Sequence, residues 1–125
     1  MRCPRNRVNS SPRGIDCTPE QLAGPVGTEF SIPPRFIDRT EVIEGFSSRL
    51  REAGLAPGTP MAYAISSLIN WDGVVVKAFM DPATGDAAVD SAVVRSARAI
   101  RYHPGYVDDQ PVCAWLSFRG PTAVP

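Results

Sequence analysis

The spacing of apolar residues predicts two helices in the chain. Asp38 and Glu41 fit a capping box, so we expect a helix to begin between them and to end at Gly54. Asp86 can cap a second helix, of about fifteen residues, that stops before Pro104. The apolar positions recur at helical spacing, at Val42, Phe46, Leu50 and Ala53 in the first helix and at Val89, Ala92, Val93, Ser96, Ala97 and Ile100 in the second.

Three further segments alternate between apolar and smaller or polar residues, which is typical of half-buried strands. Residues 61–69 and 74–80 flank the dipeptide Asp72-Gly73, a strong hairpin signal because the tight turn requires positive φ. Residues 112–118 form a third alternating run. We therefore predict an α+β fold: a three-stranded antiparallel sheet with a β-β-α-β core and two helices packed on one face.

The first third of the chain has a different composition. It is rich in Pro, Ser, Arg, Asn and Gly, and such a segment buries too little apolar surface to offset its ordering entropy. We predict a flexible Pro/Arg-rich tail or linker over residues 1–35, a folded domain over 36–120 and a short tail over 121–125. The basic residues Arg2, Arg5, Arg7 and Arg13 could bind phosphates or lipid headgroups, although a simply solvated tail is the more economical interpretation.

The length and net charge of the chain exclude several classes of function. With 125 residues the chain holds one modest core, which excludes a multi-domain enzyme. Its 13 basic residues balance 13 acidic ones, so nothing in the overall charge favours nucleic acid as a partner. No signal peptide or membrane anchor is readable. The three cysteines allow at most one disulfide within the chain and leave its compartment open.

Candidate catalytic chemistry is sparse. Cys113 and His103 are the one pair that could suggest a cysteine nucleophile, but no motif surrounds them, and a packed thiol with a surface imidazole is the preferred interpretation. Asp81, Asp86 and Asp90 lack the ligand spacing of a calcium loop and are better explained by turns and helix caps. We therefore predict no catalytic residue, no cofactor and no metal site.

The architecture itself is the positive indication of function. A three-stranded sheet leaves edge strands whose unpaired N–H and C=O groups can accept an extended peptide. Trp115 on the last strand could contact such a partner or could simply lie over the sheet.

From Gly73 to Phe118 the sequence resembles the C-terminal domain of TonB-family energy transducers, and the resemblance extends back to about Arg39. Five short motifs carry it in order: Asp72-Gly73, Ala83-Thr84-Gly85, Val89-Asp90-Ser91-Ala92-Val93, Arg101-Tyr102-His103-Pro104, and the last strand from Asp108 to Phe118. The departures are Ala83-Thr84 where the family often has two serines, Gln110 where it often has glycine, Phe46-Ser47 for its Tyr-Pro pair, and the missing anchor.

The resemblance implies a non-enzymatic periplasmic module for protein–protein interaction that couples proton-motive force to transmembrane transport, including protein transport. It would bind the TonB-dependent outer-membrane receptor by β-strand addition, and an ExbB/ExbD-type motor if a membrane anchor exists. The family protein is anchored in the inner membrane. The implied partner-binding edge consists of Gln110, Pro111, Val112, Cys113, Ala114, Trp115, Leu116, Ser117 and Phe118.

Two other non-enzymatic functions suit the same architecture. A stand-alone structural or sensor domain could form a homodimer by pairing its exposed edge with a second copy. A TolA-like coupling domain would share the architecture without a role in transport.

Overall fold

The computed structural model describes residues 16–27, 30–58 and 62–120. The fold is α+β, with three helices and several small antiparallel sheets in the described residues. The elements are α1 (Pro19–Ala23), β1 (Arg35–Phe36), α2 (Arg39–Glu52), β2 (Ala64–Ile69), β3 (Val75–Met80), α3 (Ala87–Ala99), β4 (Tyr102–His103), β5 (Gly105–Val107), β6 (Gln110–Val112) and β7 (Ala114–Arg119).

The main sheet has three antiparallel strands in the order β3-β2-β7. β2 is central because Ile65 pairs with Met80 on one side and with Phe118 on the other. A bulge at Leu68/Ile69 shifts the register between β2 and β3. The predicted three-stranded antiparallel sheet is therefore present, with its first strand in the middle.

Both predicted helices are present, and both begin at the predicted caps. The Asp38 carboxylate accepts from the Glu41 amide, and the Asp86 carboxylate accepts from the amides of Ala88 and Val89. These bonds satisfy amides that have no partner within the first turn of a helix. α3 packs on β3 and β2, and α2 packs on α3.

A single apolar cluster joins these elements on the inner face of the sheet. Alternation along the three strands directs Ile65, Ile69, Met80, Leu116 and Phe118 toward the helices, where they meet residues of α2 and α3. The fully buried members of largest volume include Leu50, Ile65, Ile69 and Val93. Burial of these side chains is the main source of stability, at about 1.5–3 kcal/mol for each large one.

The last strand differs from the prediction for residues 112–118. Gln110–Val112 pairs with Gly105–Val107 in a separate hairpin, Cys113 interrupts, and only Ala114–Arg119 joins the main sheet. The turn of that hairpin holds Asp108 and Asp109 at positive φ, a geometry that aspartate tolerates better than most residues. The apolar alternation runs through Cys113 and gives no sign of this break.

The prediction of a flexible tail over residues 1–35 was wrong for its described portion from Asp16 onward. Thr18 and Gln21 form a capping box at α1, and a disulfide links Cys17 to Cys113. The isolated bridge between Ile32 and Tyr106 attaches the following segment. A low apolar content does not preclude order where a covalent bond holds the segment in place. Residues 1–15 and the predicted tail 121–125 lie outside the described residues.

Candidate partner-binding edge

One edge of the main sheet is unpaired along β7. The Gly120 amide donates to the Tyr63 carbonyl at 3.2 Å, so these two residues form a hydrogen-bonded pair at the end of the β7–β2 ladder. Because hydrogen-bonded pairs alternate in an antiparallel ladder, Phe118, Leu116 and Ala114 bond to β2. The backbone N–H and C=O groups of Trp115, Ser117 and Arg119 therefore point away from β2.

These outward groups have no backbone partner among the described residues, where β7 pairs with β2 alone. Three alternate residues thus offer N–H and C=O groups at the spacing that an added strand would match. Ser117 lies at the centre of this free edge, and its hydroxyl meets that of Ser66 at 2.7 Å on the outer face of the sheet.

The structure divides the predicted edge residues into two groups. Ala114, Trp115, Leu116, Ser117 and Phe118 lie on the free edge. Gln110, Pro111 and Val112 form β6, whose pairing with β5 separates them from the main sheet. Cys113 lies between the groups and is bonded to Cys17. The edge that the main sheet offers therefore begins at Ala114 and extends to Arg119, one residue beyond the predicted set.

The side chain of Trp115 lies on the outer face beneath the N-terminal segment. Its indole N–H donates to the Gln21 carbonyl at 2.8 Å, and its ring meets Phe79 edge to face. In turn the Gln21 amide group donates to the Cys113 carbonyl at 2.8 Å. Trp115 thus binds within its own chain, and only its backbone faces the free edge.

The outer face buries one large residue, Leu68 of the central strand. Leu68 pairs with Lys77 in β3 and with Trp115 in β7. Both neighbours bond to carbonyls of the N-terminal segment, since the Lys77 ammonium donates to Leu22 and the Trp115 indole to Gln21. α1 therefore covers the outer face over Leu68.

An apolar groove of about 370 Å³ lies between α2 and the end of β7. Phe36, Val42, Phe46, Tyr63 and Phe118 form its walls, and Arg39 and Arg119 line it as well. Phe36 stacks on Tyr102 with ring centroids 5.4 Å apart and meets Phe118 edge to face at 5.9 Å. No local sequence pattern indicates this groove, because its walls come from β1, α2, β7 and the residue before β2.

The candidate catalytic pair has no free thiol, because the sulfur of Cys113 is bonded to Cys17. Cys113 is thus neither a nucleophile nor the packed thiol expected from the sequence. The choice of Cys17 as its partner was not readable, since three cysteines allow three pairings.

The aspartates take structural roles. Asp86 caps α3, and the Asp90 carboxylate accepts from the amide and the hydroxyl of Thr84. Among the described residues, no three His, Cys, Asp or Glu side chains come together as a metal site.

Two tyrosines of the core, Tyr63 and Tyr102, have raised pKa values because they are buried. Burial raises the pKa of Tyr102 to about 12, with the nearby Ser67 hydroxyl acting in the opposite direction. By distance and angle together, neither the Ser67 hydroxyl nor the Tyr102 hydroxyl has a hydrogen-bond partner among the described residues. Burial also raises the pKa of Tyr63. Both phenols are therefore neutral over the physiological pH range.

Comparisons with known proteins give no indication of function, so function is inferred from the geometry of the site. No family model, no curated protein and no solved structure matches the chain. In the portion of the chain that the structure describes, none of the helices has the length and apolar character of a membrane span.

Proposed function

We propose that this chain is a non-enzymatic interaction module that binds an extended peptide as a fourth strand beside β7. The free edge at Trp115, Ser117 and Arg119 carries this proposal, because it offers alternating N–H and C=O groups on a strand whose other edge is paired. Strand addition needs no elaborate side-chain site, since main-chain hydrogen bonds provide much of the affinity.

The disulfide between Cys17 and Cys113 supports an oxidising compartment for the protein. Disulfides persist in secreted, periplasmic and cell-surface proteins and are rare in reducing cytosol. A periplasmic location agrees with this chemistry and with the function that the sequence resemblance implies.

The resemblance to TonB-family C-terminal domains suggests the class of peptide. We propose the N-terminal segment of a TonB-dependent outer-membrane receptor, with an ExbB/ExbD-type motor as a further partner of any anchored form. Residues 114–118 of the free edge lie within the last of the five sequence motifs, which is the part of the chain where the resemblance implies partner binding.

Self-association is the second candidate, because an antiparallel pair of β7 strands from two copies would use the same backbone groups. An isologous interface of this kind has two-fold symmetry. Sedimentation over a range of concentrations distinguishes the two: the peptide-binding proposal expects a monomer, and the self-association proposal expects a dimer that strengthens with concentration.

Substitution at Ser117 tests strand addition directly. Ser117→Pro removes the outward N–H at the centre of the free edge but no hydrogen bond to β2, and proline is tolerated at such edge positions. Ser117→Ala is the matched control, because it loses the same hydroxyl and keeps the N–H. We expect the proline variant to bind receptor N-terminal peptides about threefold to tenfold more weakly than the alanine variant, as for one lost hydrogen bond.

The measurement is backbone NMR titration of both variants with such peptides. Strand addition predicts saturable shifts that concentrate at residues 114–119 in the alanine variant. Shifts that concentrate on β3, or equal affinities for the two variants, would contradict addition at β7.

A further inference from the structure

The groove between α2 and the end of β7 has the dimensions of a small-molecule site. Its volume of about 370 Å³ lies within the range of roughly 300–1,000 Å³ that is usual for ligand pockets. Most of its lining is aromatic or aliphatic, contributed by Phe36, Val42, Ile43, Phe46 and Phe118. Ile43 is 48% exposed, which is high for a large apolar side chain on a packed helix.

The polar groups of the groove share one sign of charge. Arg39, from the first turn of α2, and Arg119, from the end of β7, both line it, and no described acidic side chain does. Neither arginine forms an ion pair or hydrogen bond through its side chain within the described residues. A groove that is mainly apolar and is lined by two arginines without other side-chain partners is complementary to an apolar anion.

Tyr63 provides a third donor at the same place. Its phenol end lies directly against Gly120, since a Cβ built on Gly120 would come within 2.4 Å of the Tyr63 hydroxyl oxygen. Both residues line the groove, and the Tyr63 hydroxyl has no hydrogen-bond partner among the described residues. Phenol and guanidinium donors are the groups that bind a carboxylate in protein sites.

We propose that this groove binds a small apolar monocarboxylate, with the hydrocarbon part against the aromatic wall and the carboxylate near Arg39, Arg119 and Tyr63. A planar guanidinium matches a carboxylate in geometry as well as in charge, which distinguishes this anion from a simple halide. The inference stands apart from strand addition, because it uses side chains of the groove and no backbone group of the free edge.

Three twelve-carbon probes separate the contributions of charge and hydrocarbon: dodecanoate, dodecanol and dodecyltrimethylammonium. Each is titrated into the oxidised full chain below the concentration at which the probe self-associates, with backbone NMR as the readout. We expect saturable shifts for dodecanoate at residues 39–46 and 118–120, about tenfold weaker binding of dodecanol, and no binding of the cation in the groove. The tenfold difference corresponds to one or two charge-assisted hydrogen bonds that are partly screened by water.

The double variant Arg39→Gln/Arg119→Gln tests the named cations. Both residues are exposed, so the fold is expected to survive the change. Dodecanoate affinity should fall about tenfold, to the level of dodecanol. The matched control Arg51→Gln/Arg98→Gln makes the same change in net charge at exposed helix positions outside the groove lining, and it should bind dodecanoate as the unmodified chain does.

Several results would overturn the proposal. Equal binding of dodecanoate and dodecanol would show that the arginines do not select an anion. Shifts that map to the outer face or to the α2–α3 surface would place the ligand elsewhere. An equal loss of affinity in the groove variant and the control would show that the loss follows from the change in net charge and not from the two arginines of the groove.

Discussion

Among single residues, the contact between Gly73 and Tyr102 shows how backbone geometry restricts the choice of amino acid. Gly73 has φ +81°, and a Cβ built on it would lie 2.0 Å from the Tyr102 carbonyl oxygen. The Gly73 carbonyl in turn accepts from the Tyr102 amide at 3.0 Å. The hairpin turn and the strand after α3 therefore meet at a position that only glycine can occupy without displacement of the backbone.

Alanine substitutions at Gly73 and Gly85 separate the cost of the left-handed backbone conformation from the cost of the close approach to Tyr102. Gly85 also has positive φ, at +93°, but has open space around it. We expect Gly85→Ala to lower the free energy of unfolding by about 1 kcal/mol, from the left-handed conformation alone. Gly73→Ala should cost about 2 kcal/mol more, because the methyl group also displaces Tyr102. Urea denaturation of both variants measures the difference, and equal losses would contradict the close approach.

The phenol of Tyr102 makes stability depend on alkaline pH. Its pKa rises from 10.0 to about 12 on folding, so the folded state holds the proton more tightly than the unfolded state. The resulting stabilisation is complete below pH 10 and is lost as the pH rises from about 10 to about 12. A rise in pKa from 10.0 to about 12 corresponds to at most about 3 kcal/mol of unfolding free energy. The raised pKa of Tyr63 contributes in the same direction.

The variant Tyr102→Phe should show a smaller loss of stability over this pH window than the unmodified chain. Tyr106→Phe is the matched control, since it removes a phenol from the small hairpin and keeps Tyr102. Urea denaturation at pH 9 and at pH 11.5 provides the comparison. Parallel alkaline losses in the unmodified chain and in Tyr102→Phe would assign the pH dependence to other groups.

Among the described helices, α1 is the one that depends most on contacts beyond its own sequence. It has five residues, none of them buried, which is far below the length at which an isolated helix is stable. A disulfide and side-chain bonds from Gln21, Lys77 and Trp115 hold it against the sheet. Its order therefore depends on the covalent bond to Cys113.

Removal of that bond should release α1 and uncover the outer face. The variant Cys17→Ser is expected to lose about 2–4 kcal/mol of unfolding free energy, as for a disulfide that closes a long loop. Both tryptophans report on the event, since Trp71 donates to Asp16 and Trp115 to Gln21. Their emission should shift to longer wavelength in Cys17→Ser but not in Cys3→Ser, which retains both bonded cysteines. Unchanged emission would show that α1 stays in place without the bond.

The elements that the sequence predicted are those specified by local chemistry. Asp38, Asp86 and Gly73 act within a few residues of their own position, so the helices and the hairpin could be predicted from spacing alone. The docking of α1 depends on a bond between residues 96 positions apart, and no local signal indicates such a bond. The interruption at Cys113 was missed for the same reason, because the alternating pattern continues across it.

At the scale of the whole molecule, the free edge and the groove differ in how far sequence could predict them. The free edge follows from the number of strands, and residues 114–118 of it lie within the predicted set. The groove requires Phe36, Tyr63 and Phe118 to meet around α2, and these residues come from three separate segments. Their meeting is a property of tertiary packing, which hydrophobic periodicity does not encode.

The link between Cys17 and Cys113 also determines how the molecule would respond to tension between its two ends. A pull applied before residue 17 and after residue 113 passes through the sulfur atoms, so the residues between these two cysteines, which are 96 positions apart, bear none of it. That loop could otherwise lengthen by roughly 330 Å when drawn out. Among the elements of the described residues, only β7 lies in the line of pull, and it would have to shear or peel from β2 to yield. The described helices and the β2–β3 hairpin are thereby shielded mechanically, and within the described residues the oxidised chain can lengthen by little more than one short strand.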